Sequence, residues 1–466
     1  MSLSRGLCRS GGWLLLCLGV ACSNGDAEPP EPAPGYRLSP ERAARLEALR
    51  TEVLADTCYQ GEDTRGCPRM TVPFAPTRDF AMKDSTGEAL LIVDDFPTLP
   101  ARALRYRNRL LGYYRALEGG DVVAADPGWL VPPRFHEALT TFATEDFIPA
   151  EALRALAEPL RAHYPEQGQQ SVGHGSTVFS LLVEANPRQP IVVMDHPGLY
   201  ELSRSEFCEP TGEPGALERL RGRAQRAATG LRGLIERHGV RFVNLSLGET
   251  VDSLRRAWPR YCSGEAPGVE VLRAKLAAYA PIAQVLFATP GVFTAQAAID
   301  ATDPLDYPYD YPSAEYPNRL RVGFFTTLES GLDESGRGDT SKLEGWPARE
   351  DVDVYVNSGV LPTRPFPHNA TPWLQVDSFG VDIFPITAAT TSWMAPLALS
   401  RFIHVRYERF ADRTMTDELI QRITKWMVPS ACEDRPDLVC VFQDPLAHGQ
   451  LEVTRLGYRP REYVAP

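Results

Sequence analysis

From about residue 88 onward, short apolar runs alternate with longer stretches in which apolar residues recur at helical spacing. Ala89 to Val93, Ile191 to Met194, Phe242 to Leu247, Val285 to Ala288 and Leu320 to Phe325 read as buried strands. Between them, Pro214 to His238 carries Leu217, Leu220, Ala224, Ala227, Leu231 and Ile235 on one helical face. Val271 to Tyr279 and Leu153 to Tyr164 are further helices by the same criterion, as is Leu38 to Ala55, where the Ser39 hydroxyl can cap an orphan backbone N–H. Strands alternating with helices predict an α/β fold, a mainly parallel sheet with helices on both faces. Functional sites in such folds gather at the carboxyl ends of strands, and Asp94 stands at one such end.

The N-terminus follows a different pattern. Arg5 and Arg9 precede the apolar run Trp13 to Ala21, which is too short and too close to the end for a spanning helix, so residues 1–21 read as a signal peptide. Leu18-Gly19-Val20-Ala21-Cys22 resembles a bacterial lipoprotein cleavage site, with Cys22 the lipidated residue and ordinary secretory cleavage the alternative. Ser23 and Asn24 then resemble outer-membrane retention signals, which implies an outer-membrane lipoprotein, or a periplasmic or cell-surface protein, held by a lipid anchor. Residues 22–36 are rich in proline and read as an extended tether. Residues 37–87 read as an N-terminal cover or short pro-segment, and 88–466 as the main domain.

Composition adds limits. With 43% hydrophobic and 23% charged residues the chain can build a sizeable core. Its 48 basic and 60 acidic residues give a net charge of −12, which argues against nucleic acid as a partner. If Cys8 and Cys17 leave with the signal and Cys22 is lipidated, an even six cysteines remain: Cys58, Cys67, Cys208, Cys262, Cys432 and Cys440. In an exported chain that implies disulfides. Six cysteines can pair in fifteen ways; Cys58 with Cys67 and Cys432 with Cys440 are near enough in sequence to staple local loops. Zinc is the alternative for such residues, but no CxxC or HExxH spacing occurs.

The chemistry lies in four segments. Leu90-Leu91-Ile92-Val93-Asp94-Asp95-Phe96 ends an apolar strand on a carboxylate. Gly173-His174-Gly175-Ser176-Thr177-Val178 puts a histidine between glycines. Val243-Asn244-Leu245-Ser246-Leu247-Gly248 ends a further strand, and Thr390-Thr391-Ser392-Trp393-Met394-Ala395-Pro396 puts a serine where an apolar helix begins. In this order the segments resemble the motifs of the subtilisin-like serine proteases, whose acid, base and nucleophile follow one another as Asp, His, Ser. Tyr311 to Gly323 is similar to the Tyr-Pro-Ala, Pro-Asn and Val-Gly run of that family, and Ala447 to Leu451 loosely resembles its closing turn.

The resemblance covers roughly Ala89 to Leu451 and implies a subtilisin-like fold with an inserted, helical surface segment at about 101–170. It implies an exported serine endopeptidase that acts on polypeptide through an acyl-enzyme, with Ser392 as nucleophile, His174 as general base and acid, and Asp94 orienting the imidazole. Ser246, Leu247 and Gly248 would bind substrate by strand addition. Pro396 is expected in the first helical turn, where its missing N–H costs little.

Departures are also visible: Phe96 and Thr390 replace glycines, and Trp393 stands where a small residue or Met is usual. The oxyanion region is expected to combine the Ser392 backbone N–H with the segment Phe287 to Val292, where Val292 aligns with the donor Asn and Thr289 is a substitute. Those departures keep a second reading open, a pseudoprotease that binds extended peptides without turnover. No cofactor or metal is implied by the motifs. The acidic run Asp300, Asp303, Asp306 and Asp310 matches no standard calcium pattern, although carboxylates suit that ion.

Overall fold

The computed structural model describes residues 39–59, 66–126, 128–143, 148, 174–183, 185–298, 316–326, 344–345, 352–357, 374–376, 383–385 and 391–427. Its strands in chain order are β1 (Met70–Val72), β2 (Ala89–Asp94), β3 (Leu110–Ala116), β4 (Val122–Ala124), β5 (Trp129–Val131), β6 (Ile191–Asp195), β7 (Val240–Leu245), β8 (Phe293–Ala297), β9 (Arg319–Thr326), β10 (Glu344–Gly345), β11 (Val354–Asn357), β12 (Leu374–Val376) and β13 (Ile383–Pro385). The central sheet runs β10-β9-β8-β7-β2-β6-β3-β4, with β11 also paired to β9. Seven of its strands are parallel, and only β4 and β10 are antiparallel. The fold is mixed α/β with a mostly parallel sheet, as the alternation of strands and helices predicts.

All six residues of β2 are buried. Because successive side chains point to opposite faces, Leu90 and Ile92 enter one core while Ala89, Leu91 and Val93 enter the other. The first core is covered by the helices Gly175–Val183, Thr391–Arg409 and Asp417–Met427. The second is covered by Pro214–His238, Val251–Tyr261, Val269–Ala277 and Ala280–Ala288. Burial of a strand on both faces is what removes the polar alternation from its sequence.

Several boundaries follow the sequence closely. The helix Pro214–His238 ends at Gly239, whose φ of 61° is the left-handed conformation that closes helices. The N-terminal helix Pro40–Ala55 is capped by Ser39, whose side chain accepts from the Arg42 N–H at 3.3 Å. Val285 to Ala288 is not a strand, however. It is the last turn of the helix Ala280–Ala288, which carries a proline at its start. A short apolar run reads alike in a buried helix and a buried strand. The strand of this region is β8, whose sequence Phe-Thr-Ala-Gln-Ala hides it by including Thr294 and Gln296, both fully buried. Thr294 donates to the Leu286 carbonyl and Gln296 accepts from Arg319, so each polar group is satisfied locally in part.

The stretch at 101–170 also contributes more than surface. Leu110–Ala116 is strand β3, paired in parallel to β6, and the 3₁₀ helix before it, Ala101–Arg109, buries Arg102, Arg105 and Arg109. Glycine at 112 and arginine at 115 break up the apolar run that would have marked this strand. The helix Pro133–Thr140 supplies the helical part of the segment among the described residues.

Among the described residues two disulfides are formed, Cys58–Cys67 and Cys208–Cys262, with Cα atoms 5.5 and 5.2 Å apart. The second joins the ends of the helices Arg204–Phe207 and Val251–Tyr261. Such bonds belong to oxidising compartments. Among the described residues no single helix is long and apolar enough to cross a membrane. Cys22 and its flanks, Leu153 to Tyr164, the acidic loop at 300–310, Tyr311 to Glu315, Cys432 with Cys440, and Ala447 to Leu451 lie outside the described residues.

Candidate active site

Strand β2 carries Asp94 to the carboxyl edge of the sheet and leaves it fully buried. Its Oδ1 accepts from the Asp95 N–H at 2.7 Å and faces His174 Nδ1, also at 2.7 Å. A carboxylate only accepts, so Nδ1 carries the proton and Nε2 of the neutral ring is left as the acceptor. Burial pushes the Asp94 carboxyl above its ordinary pKa, opposed by the hydrogen bond and charge of His174. For His174, burial acts downward, but the hydrogen bond and charge of Asp94, with the charge of Asp95, outweigh it and raise the ring above 6.5. A buried carboxylate thus favours the imidazolium that forms when the ring takes up a proton.

His174 immediately precedes the helix Gly175–Val183. The Gly175 N–H donates to the Asp95 carbonyl at 3.0 Å, tying the start of this helix to the end of β2. Phe96, where the family pattern has glycine, turns its ring under Gly175; a Cβ at 175 would lie 2.6 Å from two ring carbons. The Phe96 backbone is held as well, since its N–H donates to Asp195 Oδ1 at 2.9 Å and its carbonyl accepts from the Tyr113 hydroxyl at 2.7 Å.

Ser392 is the second residue of the helix Thr391–Arg409, so backbone N–H groups without helical partners surround it, at the positive end of the helix dipole. Pro396 is the sixth residue of that helix, beyond the first turn where the sequence reading put it. Four residues after Ser392, it has no N–H to give the Ser392 carbonyl. The Ser246 hydroxyl takes that place, donating to the Ser392 carbonyl at 2.8 Å, while Ser392 Oγ donates to the Ser246 carbonyl at 3.2 Å. Asn244, fully buried on β7, donates to Ser246 Oγ at 2.8 Å and fixes it in turn.

Ser246 therefore meets the start of the helix Thr391–Arg409 rather than open solvent. Leu247 and Gly248 follow it at the same edge of the sheet, half-buried, with Leu247 packed against the second core. Register shows how the pieces converge: Val93 pairs with Leu245, and Leu245 with Gln296. One residue further along each strand lie Asp94, Ser246 and Ala297, level with one another at the carboxyl edge.

Thr289 and Val292 do not join them. Both precede β8, on the turn after the helix Ala280–Ala288, and Phe293 pairs with Phe242 near the opposite edge. Five strand residues separate Val292 from the level of Asp94, about 16 Å. Neighbouring contacts agree: Gly291 N–H donates to Asp417 Oδ1, on the helix that follows the far end of Thr391–Arg409. At that same end Arg406 reaches Glu88, the residue before β2, at 3.0 Å. Arg406 is fourteen residues beyond Ser392 on this helix, about 21 Å along its axis. The turn at 289–292 is thus a structural corner and supplies no oxyanion donor, because Val285 to Ala288 is helix and the strand begins only at Phe293. The end of β8 that lies level with Asp94 is Ala297, followed by Ala298.

Two aromatic neighbours had no assigned role in the sequence. Trp393 stacks on the His174 imidazole with ring centroids 4.6 Å apart and planes 21° from parallel. His196, at the end of β6, stacks on Tyr279 and shares a 3.2 Å hydrogen bond with its hydroxyl. Burial lowers the His196 pKa to about 4, so this ring is neutral and packed. Among the described residues no group of three or more His, Cys, Asp or Glu side chains is placed to hold a metal ion.

No family model and no curated protein matches the chain. Solved structures do align with it. A cold-adapted subtilisin-like serine proteinase is 12% identical, with a TM-score of 0.31 over 79% of this chain and 99% of the other. The prenylagaramide maturation protease PagA is 11% identical, with a TM-score of 0.31 over 82% of this chain and 98% of the other. A mutant of the protease domain of PatA is 12% identical, with the same TM-score over 81% and 99%. At these values the likeness is distant and carries no weight of its own, so function rests on the geometry of Asp94, His174 and Ser392.

Proposed function

We propose that this chain is an exported serine endopeptidase of subtilisin-like type. Ser392 Oγ attacks the scissile carbonyl while His174 Nε2 takes its proton. The tetrahedral intermediate then collapses, the His174 proton passes to the leaving amine, and an acyl-enzyme remains on Ser392. Water, deprotonated by the same ring, releases the acid. Asp94 holds the tautomer and balances the imidazolium charge, and the Ser392 backbone N–H serves as one oxyanion donor. Substrate would run as an added strand beside Leu247 and Gly248. Cys22 would carry the lipid anchor at the outer membrane or cell surface, followed by the tether at 22–36, the cover or pro-segment at 37–87, and the peptidase domain.

The observation that carries this reading is the 2.7 Å contact between His174 Nδ1 and a carboxylate that is wholly buried at a strand end. A histidine that merely filled space would not need a desolvated acid fixed by the next backbone N–H. The test is covalent labelling with a fluorophosphonate probe. Wild-type protein should be labelled at Ser392, and Ser392→Ala and His174→Ala should lose the label. Folded wild-type protein that resists the probe would end the enzyme reading.

One observation favours the second reading, a catalytically silent peptide binder. Ser392 Oγ donates to the Ser246 carbonyl, an arrangement that directs its proton away from a base. In that case peptide would bind with the same affinity to wild type and Ser392→Ala, without product or label.

A further inference from the structure

Trp393 stands where a small residue or Met is usual, at the position after the proposed nucleophile, and by size alone it would crowd the site. The structure gives it a definite partner instead. Its ring lies over the face of His174 at 4.6 Å and 21°, while it packs against the first core. The imidazole is thus held twice, through Nδ1 by Asp94 and across one face by the indole. A hydrogen bond at one ring atom fixes that atom but leaves rotation about the ring axis soft; a parallel neighbour removes that freedom.

The electrostatics favour the same conclusion. The face of an indole is the negative side of its quadrupole, and a cation held over it is attracted. His174 becomes such a cation only while it carries the serine proton. The charged groups acting on it are Asp94 and Asp95 from the end of β2, and the nucleophile helix has no acidic residue in its first turn to compete. We infer that Trp393 is a positioning residue: stacked on His174, it fixes the ring against Asp94 and stabilises the imidazolium formed during proton transfer. This rests on the peptidase reading for its catalytic part, while its structural part stands independently.

The closing experiment separates the two. Imidazole NMR titration of His174 in wild type, Trp393→Phe and Trp393→Leu needs no turnover. The wild-type ring protons should resonate upfield, shifted by the indole above them, and the titration midpoint should fall by up to about one pH unit in Trp393→Leu, as for loss of a cation–π contact worth up to tenfold. Trp393→Phe, which keeps a ring over His174, should retain most of the midpoint. In probe labelling, Trp393→Leu should slow the limiting rate on the order of tenfold, leave half-saturation little changed, and be largely rescued by phenylalanine. A midpoint that moves by less than about 0.2 in folded Trp393→Leu overturns the inference, and so does a phenylalanine variant no better than leucine. Should Trp393→Leu fail to fold, absence of the upfield shift in wild type overturns it alone. A wild type that shows the shift but no labelling refutes the peptidase and leaves the stacking role intact.

Discussion

Replacing Gly175 by alanine tests the contact on which the base is mounted. The new Cβ would lie 2.6 Å from Cε1 and Cζ of Phe96 and 2.8 Å from Cε2, whereas carbon atoms rest at about 3.5–4.0 Å. The overlap is therefore about 1 Å. Phe96 has little room to yield, because it is fully buried and its N–H and carbonyl are both hydrogen-bonded. Overpacking of this size costs about 1–3 kcal/mol, and because Gly175 is the first residue of its helix, helix propensity returns little of that. We expect Gly175→Ala to lose about 1–3 kcal/mol in urea unfolding and to slow labelling at Ser392, since His174 is the adjoining residue. Shrinking the ring should relieve the clash, so Phe96→Leu and Gly175→Ala combined should lose at least about 1 kcal/mol less than the two separate losses summed. Additivity within about 0.5 kcal/mol would refute the contact as the reason for glycine here.

Two further predictions follow from the site. Val292→Asn should leave labelling within about twofold of wild type, because that position lies at the far edge of the sheet, and a marked acceleration in stopped-flow labelling would return it to the oxyanion region. Labelling should also rise with pH through a midpoint above 6.5, because the base must be neutral and Asp94 raises the His174 pKa. The same raised pKa contributes folding stability that is fully present below pH 6.5 and fades as pH rises through the folded midpoint. A labelling midpoint at or below 6.5 would contradict the assigned pairing.

Asp94, His174 and Ser392 were legible because each sits beside a local signal that survives in one dimension. Asp94 ends four apolar residues, His174 stands between glycines, and Ser392 opens an apolar helix four residues before a proline. Strands β2 and β6 were legible because burial on both faces leaves no polar position to confuse the run. Strand β8 was not, because Thr294 and Gln296 are buried polar groups whose partners, Leu286 and Arg319, lie on other elements. Strand β3 was hidden for a related reason: Arg115 leaves the sheet to reach Asp195 on the neighbouring strand.

The amino-acid sequence by itself determined the order of Asp94, His174 and Ser392, the alternation that makes a parallel sheet, and the end of the helix Pro214–His238 at Gly239. These depend on neighbours in the chain, through propensity and periodicity. Only the tertiary structure decided which edge of the sheet each turn occupies, and so removed Thr289 and Val292 from the site. It alone gave Ser246 a role against the Ser392 carbonyl, Phe96 a place under Gly175, and Trp393 a ring to stack on. Those contacts join residues up to 219 positions apart in sequence, the separation of His174 and Trp393. Loop closure of that length leaves no local trace, because its cost and its reward are both settled by packing after the sheet has formed.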